Sequence, residues 1–121
     1  MTKRERINLK VVGTVAVVSF VDEKIVDSTN IEELGNEMFS LVTDDHHKHI
    51  LLNFENVEFM SSAALNKLIT MDKKVKEVGG ILRLCSLRAE ILEIFKITRL
   101  DRVFDIRKTE AEALKAFGVD S

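Results

Sequence analysis

The chain has no proline, tryptophan or tyrosine, and only one cysteine and five glycines among its 121 residues. A lone cysteine can neither close an internal disulfide nor supply a thiolate metal cluster, so a reducing compartment is expected. The longest apolar runs, such as residues 15–18, fall far short of the ~18 residues that a membrane span needs. The basic start, residues 1–7, has no apolar stretch behind it and does not read as a signal peptide. Linkers, repeats and low-complexity segments are missing as well. These absences exclude membrane insertion and point to one small soluble domain, expected in the cytoplasm.

What is present supports a folded chain. Apolar residues make up 45% and charged residues 31%, enough for one hydrophobic core and too balanced for disorder. The expected domain covers residues 7–118, with tails at 1–6 and 119–121. The net charge of -2 hides an asymmetry, because residues 22–58 hold ten acids against only Lys24 and Lys48. Elsewhere Lys and Arg are interleaved with acids on predicted helices. Nucleic acid binding wants a concentrated basic face, so no nucleic acid partner is expected; such polarity suits docking to another protein.

The hydrophobic pattern sets the element order. Residues 7–12 alternate as a half-solvated strand, and residues 15–21 read as a more buried one. Residues 22–27 form a loop with Asp27, Ser28 and Thr29 as candidate N-caps, and Thr29 with Glu32 has capping-box spacing. The helix that follows buries Ile31, Leu34, Met38, Leu41 and Val42. A short strand over 50–54 and a loop over 55–60 come next. Ser61 or Ser62 caps a second helix that buries Ala64, Leu68, Met71, Val75 and Val78, stopped by Gly79-Gly80. A strand over 81–85, a helix over about 87–97 with Leu87, Ile91, Ile94 and Phe95 inward, and a strand over 103–106 follow. Thr109 and Glu112 form a capping box for a last helix burying Ala113, Leu114 and Phe117. The order ββαβαβαβα predicts an α/β domain with a mixed, mostly parallel sheet. Right-handed crossovers would pack its helices mainly on one face.

Most catalytic chemistry is excluded by missing motifs. The chain has neither a G-x-x-x-x-G-K-[ST] loop nor a G-x-G-x-x-G turn, and Gly79-Gly80 ends a helix rather than opening one. His46, His47 and His49 share one polar loop with Asp44 and Asp45, but adjacent donors on a turn do not prearrange a metal site. Cys85 ends a buried-looking strand without a basic neighbour that would activate it. No enzyme, cofactor, metal or small-molecule substrate is therefore expected.

The informative stretch is residues 56–65, Asn-Val-Glu-Phe-Met-Ser-Ser-Ala-Ala-Leu. A strand feeds a loop that opens a helix with two hydroxyls. A phosphate on Ser61 or Ser62 would meet free backbone N–H groups at the positive end of the helix dipole; an N-cap role alone would account for one of the two serines. Phe59 and Met60, just before them, read either as contact anchors or as core.

This segment resembles the signature of STAS domains, in particular bacterial anti-sigma factor antagonists. Residues 87–106, Leu-x-x-x-Ile-Leu-x-Ile-Phe-x-Ile-x-x-Leu-x-x-Val-Phe-x-Ile, followed by Ala113-Leu114, look like that family's C-terminal half. Element order agrees from about Ile7 to Phe117. The family motif at this helix start reads Asp-Ser-Ser/Thr-Gly, and the first serine is phosphorylated by a partner that is both anti-sigma factor and serine kinase. On this chain the resemblance places the acceptor at Ser62, or alternatively Ser61. Ser61 stands where the family has aspartate; Ala63 and Ala64 replace the hydroxyl residue and the glycine. Asp27 resembles an acidic residue near the family's phosphosite. The resemblance implies a partner surface of Asp27, Glu58, Phe59, Met60, Ser61, Ser62 and Ala63, and leaves room for a phosphatase. It also allows an unswitched STAS module, a signalling scaffold or a soluble subunit of a lipid-transport system.

Overall fold

The computed structural model describes residues 4–119. Along the chain run β1 (Ile7–Val12), β2 (Val15–Phe20), β3 (Lys24–Ile25), α1 (Ser28–Thr43), β4 (His49–Asn53), β5 (Phe59–Met60) and α2 (Ser62–Glu77). They are followed by β6 (Ile81–Cys85), α3 (Ala89–Ile97), a 3-10 turn (Leu100–Arg102), β7 (Asp105–Arg107) and α4 (Glu110–Ala116). The main sheet has the order β1-β2-β4-β6-β7, with β1 antiparallel to β2 and all other pairs parallel. The predicted mixed α/β sheet is therefore present.

Its central strands are apolar almost throughout because both faces are covered. Ala16, Val18, Ile50, Leu52 and Leu84 point into a large core that receives Ile31, Met38 and Leu41 of α1, Leu68 and Met71 of α2, and Ile91 and Phe95 of α3. The alternate residues Val15, Val17, Leu51 and Cys85 enter a second, smaller core closed by Ala113 and Leu114 of α4. Three helices thus pack on one face and α4 alone on the other.

Several sequence boundaries move. The loops expected at 22–27 and 55–60 contain β3 and β5, which pair with each other in parallel, Lys24 opposite Phe59 and Ile25 opposite Met60. Two-residue strands are too short to show a period. The cap of α1 is Asp27, whose Oδ1 accepts from the backbone N–H of Thr29 (2.9 Å) and Asn30 (3.1 Å). The expected Thr29–Glu32 box is not formed; Glu32 instead pairs with Lys67 of α2 at 2.9 Å. Val78 is exposed at the C-terminus of α2 rather than buried. The strand expected at 103–106 begins later, because the 3-10 turn at Leu100–Arg102 consumes the preceding residues.

Arg4, Arg6 and Val119, just outside the expected domain limits, are held to the domain. Arg4 donates to Ser40 Oγ and to Asp45 Oδ2, the Arg6 backbone N–H donates to the buried Glu37 carboxylate at 2.8 Å, and Val119 packs on the second core. Residues 1–3, 120 and 121 of the expected tails lie outside the described residues.

Candidate functional site

The β3–β5 pair controls what surrounds the two serines. Parallel pairing continues one step past the strands, where the Ser61 N–H donates to the Ile25 carbonyl at 3.0 Å. Each short strand runs directly into a helix, so the starts of α1 and α2 sit side by side. Asp27, two residues beyond Ile25, and Ser61, one beyond Met60, cap neighbouring helices. The structure thereby brings together Asp27 and the 58–63 segment.

The two serines differ in occupation. Ser61 is the N-cap of α2, and its Oγ accepts from the Ala64 N–H at 3.3 Å. Ser62 occupies the first helical position; it is exposed, and its hydroxyl has no hydrogen bond among the described residues. A chemical group added at Ser62 meets no competing structural duty, whereas one at Ser61 displaces the cap.

Phe59 and Met60 split between the two roles open to them. Strand alternation leaves Phe59 47% exposed and Met60 only 2% exposed. Met60 therefore drops out of the expected contact surface, since its side chain is held in the main core. Ala63 is exposed. Ala64 is fully buried in the main core, so its methyl packs inward and not onto the surface.

Two surface residues escaped the sequence reading. Val26 is exposed beside Ser61's backbone partner Ile25. Glu23 accepts through its carbonyl from the N–H groups of Glu58 (2.7 Å) and Phe59 (3.2 Å). Its carboxyl is pushed above the usual carboxylate range, chiefly by a hydrogen bond with Glu58 and by that neighbour's charge. Only the β3–β5 pairing puts these residues at the site, and no motif marks it in the sequence.

The other candidates lie elsewhere. Cys85 is buried, and loss of solvation pushes its thiol up to about 11, which suppresses nucleophilicity. His49 lies against Phe117, ring centroids 5.5 Å apart, and His46 adopts a left-handed backbone with φ of 58°. Among the described residues no group of three His, Cys, Asp or Glu converges in metal-binding geometry, and no helix is long and apolar enough to cross a membrane.

The STAS domain family model matches residues 6–113. This chain belongs to the STAS domain family. Its sequence relatives include BtrV of Bordetella bronchiseptica, whose name gives anti-sigma factor antagonism as its assigned role. That protein is 29% identical over 93 residues, 77% of this chain and 79% of its own. Among solved STAS structures, an anti-sigma factor antagonist domain protein of Planctomyces limnophilus superposes with a TM-score of 0.80. It is 25% identical, with 93% of this chain and 97% of that one covered. SpoIIAA of Bacillus in its phosphorylated form shares the fold with a TM-score of 0.70 at 19% identity, over 92% and 98% of the two chains.

Proposed function

We propose that this STAS domain is an anti-sigma factor antagonist that binds an anti-sigma factor/serine kinase and is switched off by phosphorylation of Ser62. The observation that carries the reading is the exposed, unengaged Ser62 hydroxyl at the start of α2, flanked by exposed Phe59 and Ala63. Its relatives named as antagonists, and a fold neighbour solved in a phosphorylated form, support it. The chemistry of phosphoryl transfer belongs to the partner, so the domain needs no cofactor and catalyses nothing itself. In the unmodified state Phe59, Ala63 and the Ser62 edge, with Asp27 and Glu58 at the rim, contact the partner and hold it away from its sigma factor.

Phosphorylation adds about -1.5 to -2 charges at one point. The nearby rim already carries Glu23, Asp27 and Glu58 against Lys24 and Arg88. Desolvating that charge on docking, and opposing it to acids on the partner, costs affinity; ~3–4 kcal/mol is several hundred-fold. The fold itself is spared, because an anion in the first turn is favoured by the helix dipole. A phosphatase would restore binding, and the whole cycle fits the cytoplasm.

The test is capture from native lysate with wild type and Ser62→Asp in parallel, followed by phosphosite mapping after incubation of the captured kinase with ATP. Wild type should retain a kinase-like ATPase that Ser62→Asp loses, and the phosphate should map to Ser62. Equal capture by both proteins would instead indicate an unswitched scaffold. Undiminished labelling of Ser62→Ala would move the acceptor to Ser61 or elsewhere.

A further inference from the structure

The strands β2, β4, β6 and β7 are parallel, so α1, α2 and α3 all start at one end of the sheet and finish at the other. Ser62 and the β3–β5 pair mark the first end. The far end of α3 and the turn after it mark the second. There Ile97 is 72% exposed, the most exposed of the large apolar side chains described, and Val103 is exposed six residues later. Between and beside them Lys96, Arg99 and Arg102 are all exposed, with Asp101 and, one turn back on α3, Glu93 as the acids. None of these three cations forms an ion pair among the described residues. Arg99 is held in the left-handed region at φ 63°, which fixes the turn that presents them.

The two ends are complementary in kind. One exposes Val26 and Phe59 among Glu23, Asp27 and Glu58, with Lys24 and Arg88 as cations; the other exposes Ile97 and Val103 among Lys96, Arg99 and Arg102. Apolar residues at a surface rimmed by charge are the usual make-up of an interface, and opposite rims steer and orient the contact. We propose that the Ile97–Val103 end docks the β3–β5 end of a second copy of this chain. The two surfaces are different patches at opposite ends, so the contact is head-to-tail and leaves a free end of each kind, giving open chains rather than a closed dimer.

This association does not depend on the switch, but its regulation rests on the reading above. A phosphate on Ser62 makes the acidic end more negative and strengthens its attraction to Lys96, Arg99 and Arg102. The modification that ejects the partner thereby favours storage as self-associated chains, while the unmodified acidic end is shared between partner and copy.

The experiment is sedimentation velocity across a concentration series, at low salt and at high salt. Wild type should exceed the 13.7 kDa monomer mass with rising concentration, without a plateau at twice that value. The effect should fade as salt shortens the Debye length to ~3 Å near 1 M. Ser62→Asp should associate at lower concentration. Glu23→Lys/Glu58→Lys and Lys96→Glu/Arg102→Glu should each stay monomeric, since each carries two ends of one sign. Mixing those two variants should restore association, because each end then meets an opposite one. Circular dichroism melts confirm that both are folded. A wild type monomeric throughout, a mass that stops at the dimer, or a mixture that fails to associate would overturn the proposal. Binding of wild type, but not Lys96→Glu/Arg102→Glu, to anionic phosphatidylserine vesicles without self-association would assign the basic end to membranes instead. Loss of kinase capture by Ser62→Asp tests the switch separately and is read from a different assay.

Discussion

Ser61 and Ser62 are the same side chain on adjacent residues, yet the fold employs one and frees the other. Ser61→Ala removes the α2 cap and should cost ~1 kcal/mol in urea unfolding, while leaving Ser62 available for phosphate. Ser62→Asp should unfold at or slightly above the wild-type midpoint, since the helix dipole favours a charge there by ~0.3–1 kcal/mol. Opposite signs at neighbouring serines would separate a structural from a regulatory hydroxyl. Cys85 offers a third residue-level test. Its folded pKa of about 11 lies above the ordinary 9.0, so the folded state holds the thiol proton more tightly than the unfolded chain. That stabilisation is complete below pH 9 and is lost as pH rises through about 11. Stability measured between pH 8 and pH 11 should therefore fall less steeply in Cys85→Ala than in wild type. The sequence left the cap open between the two serines, and the Ser61–Ala64 hydrogen bond assigns it to Ser61; the placing of the acceptor at Ser62 came from the family resemblance.

At the scale of elements, β1 and β6 were legible to the residue, because β-branched and apolar runs bounded by turn residues leave little choice of boundary. β3 and β5 were not, because their pairing is set by tertiary approach rather than by a local pattern. Capping showed the same limit: Thr29–Glu32 has the right spacing, but Asp27 captures two N–H groups first and Lys67 draws Glu32 across to α2. Asp27→Ala should accordingly cost ~1 kcal/mol, while Asp27→Asn, an equally good cap, should keep most of that stability. Any loss of partner capture in Asp27→Asn then reports the charge and not the fold. The α2–β6 connection is tighter than its Gly-Gly sequence alone conveys. Gly79 sits at φ +72°, and a Cβ on Gly80 would lie 2.4 Å from the Lys48 backbone carbonyl oxygen. Gly80→Ala must displace backbone and should lower stability by ~1–3 kcal/mol, read from urea midpoints.

For the whole molecule, the division into two unequal cores was only half legible. Crossover handedness predicts the α1–α3 layer, whereas the docking of α4 on the opposite face follows from strand alternation that a nearly all-apolar β2 conceals. Leu114→Ala opens the smaller core and should cost ~2–5 kcal/mol, with faster labelling of the Cys85 beneath it by an uncharged thiol reagent. The charge asymmetry between residues 22–58 and the rest becomes a spatial one at the β3–β5 end, where acids from two distant loops meet. That short pairing also closes a long loop running through all of α1 and β4. Loop-closure entropy has to be met before such a contact is gained, and the contact joins segments distant in the chain. The surface around Ser62 is therefore built from segments distant in the chain and exists as one surface only once β3 and β5 have paired. A synthetic peptide spanning residues 56–70 carries both hydroxyls but lacks Glu23, Val26 and Asp27. Under the proposed switch it should be a far poorer kinase substrate than the intact domain, as measured by phosphate incorporation from ATP.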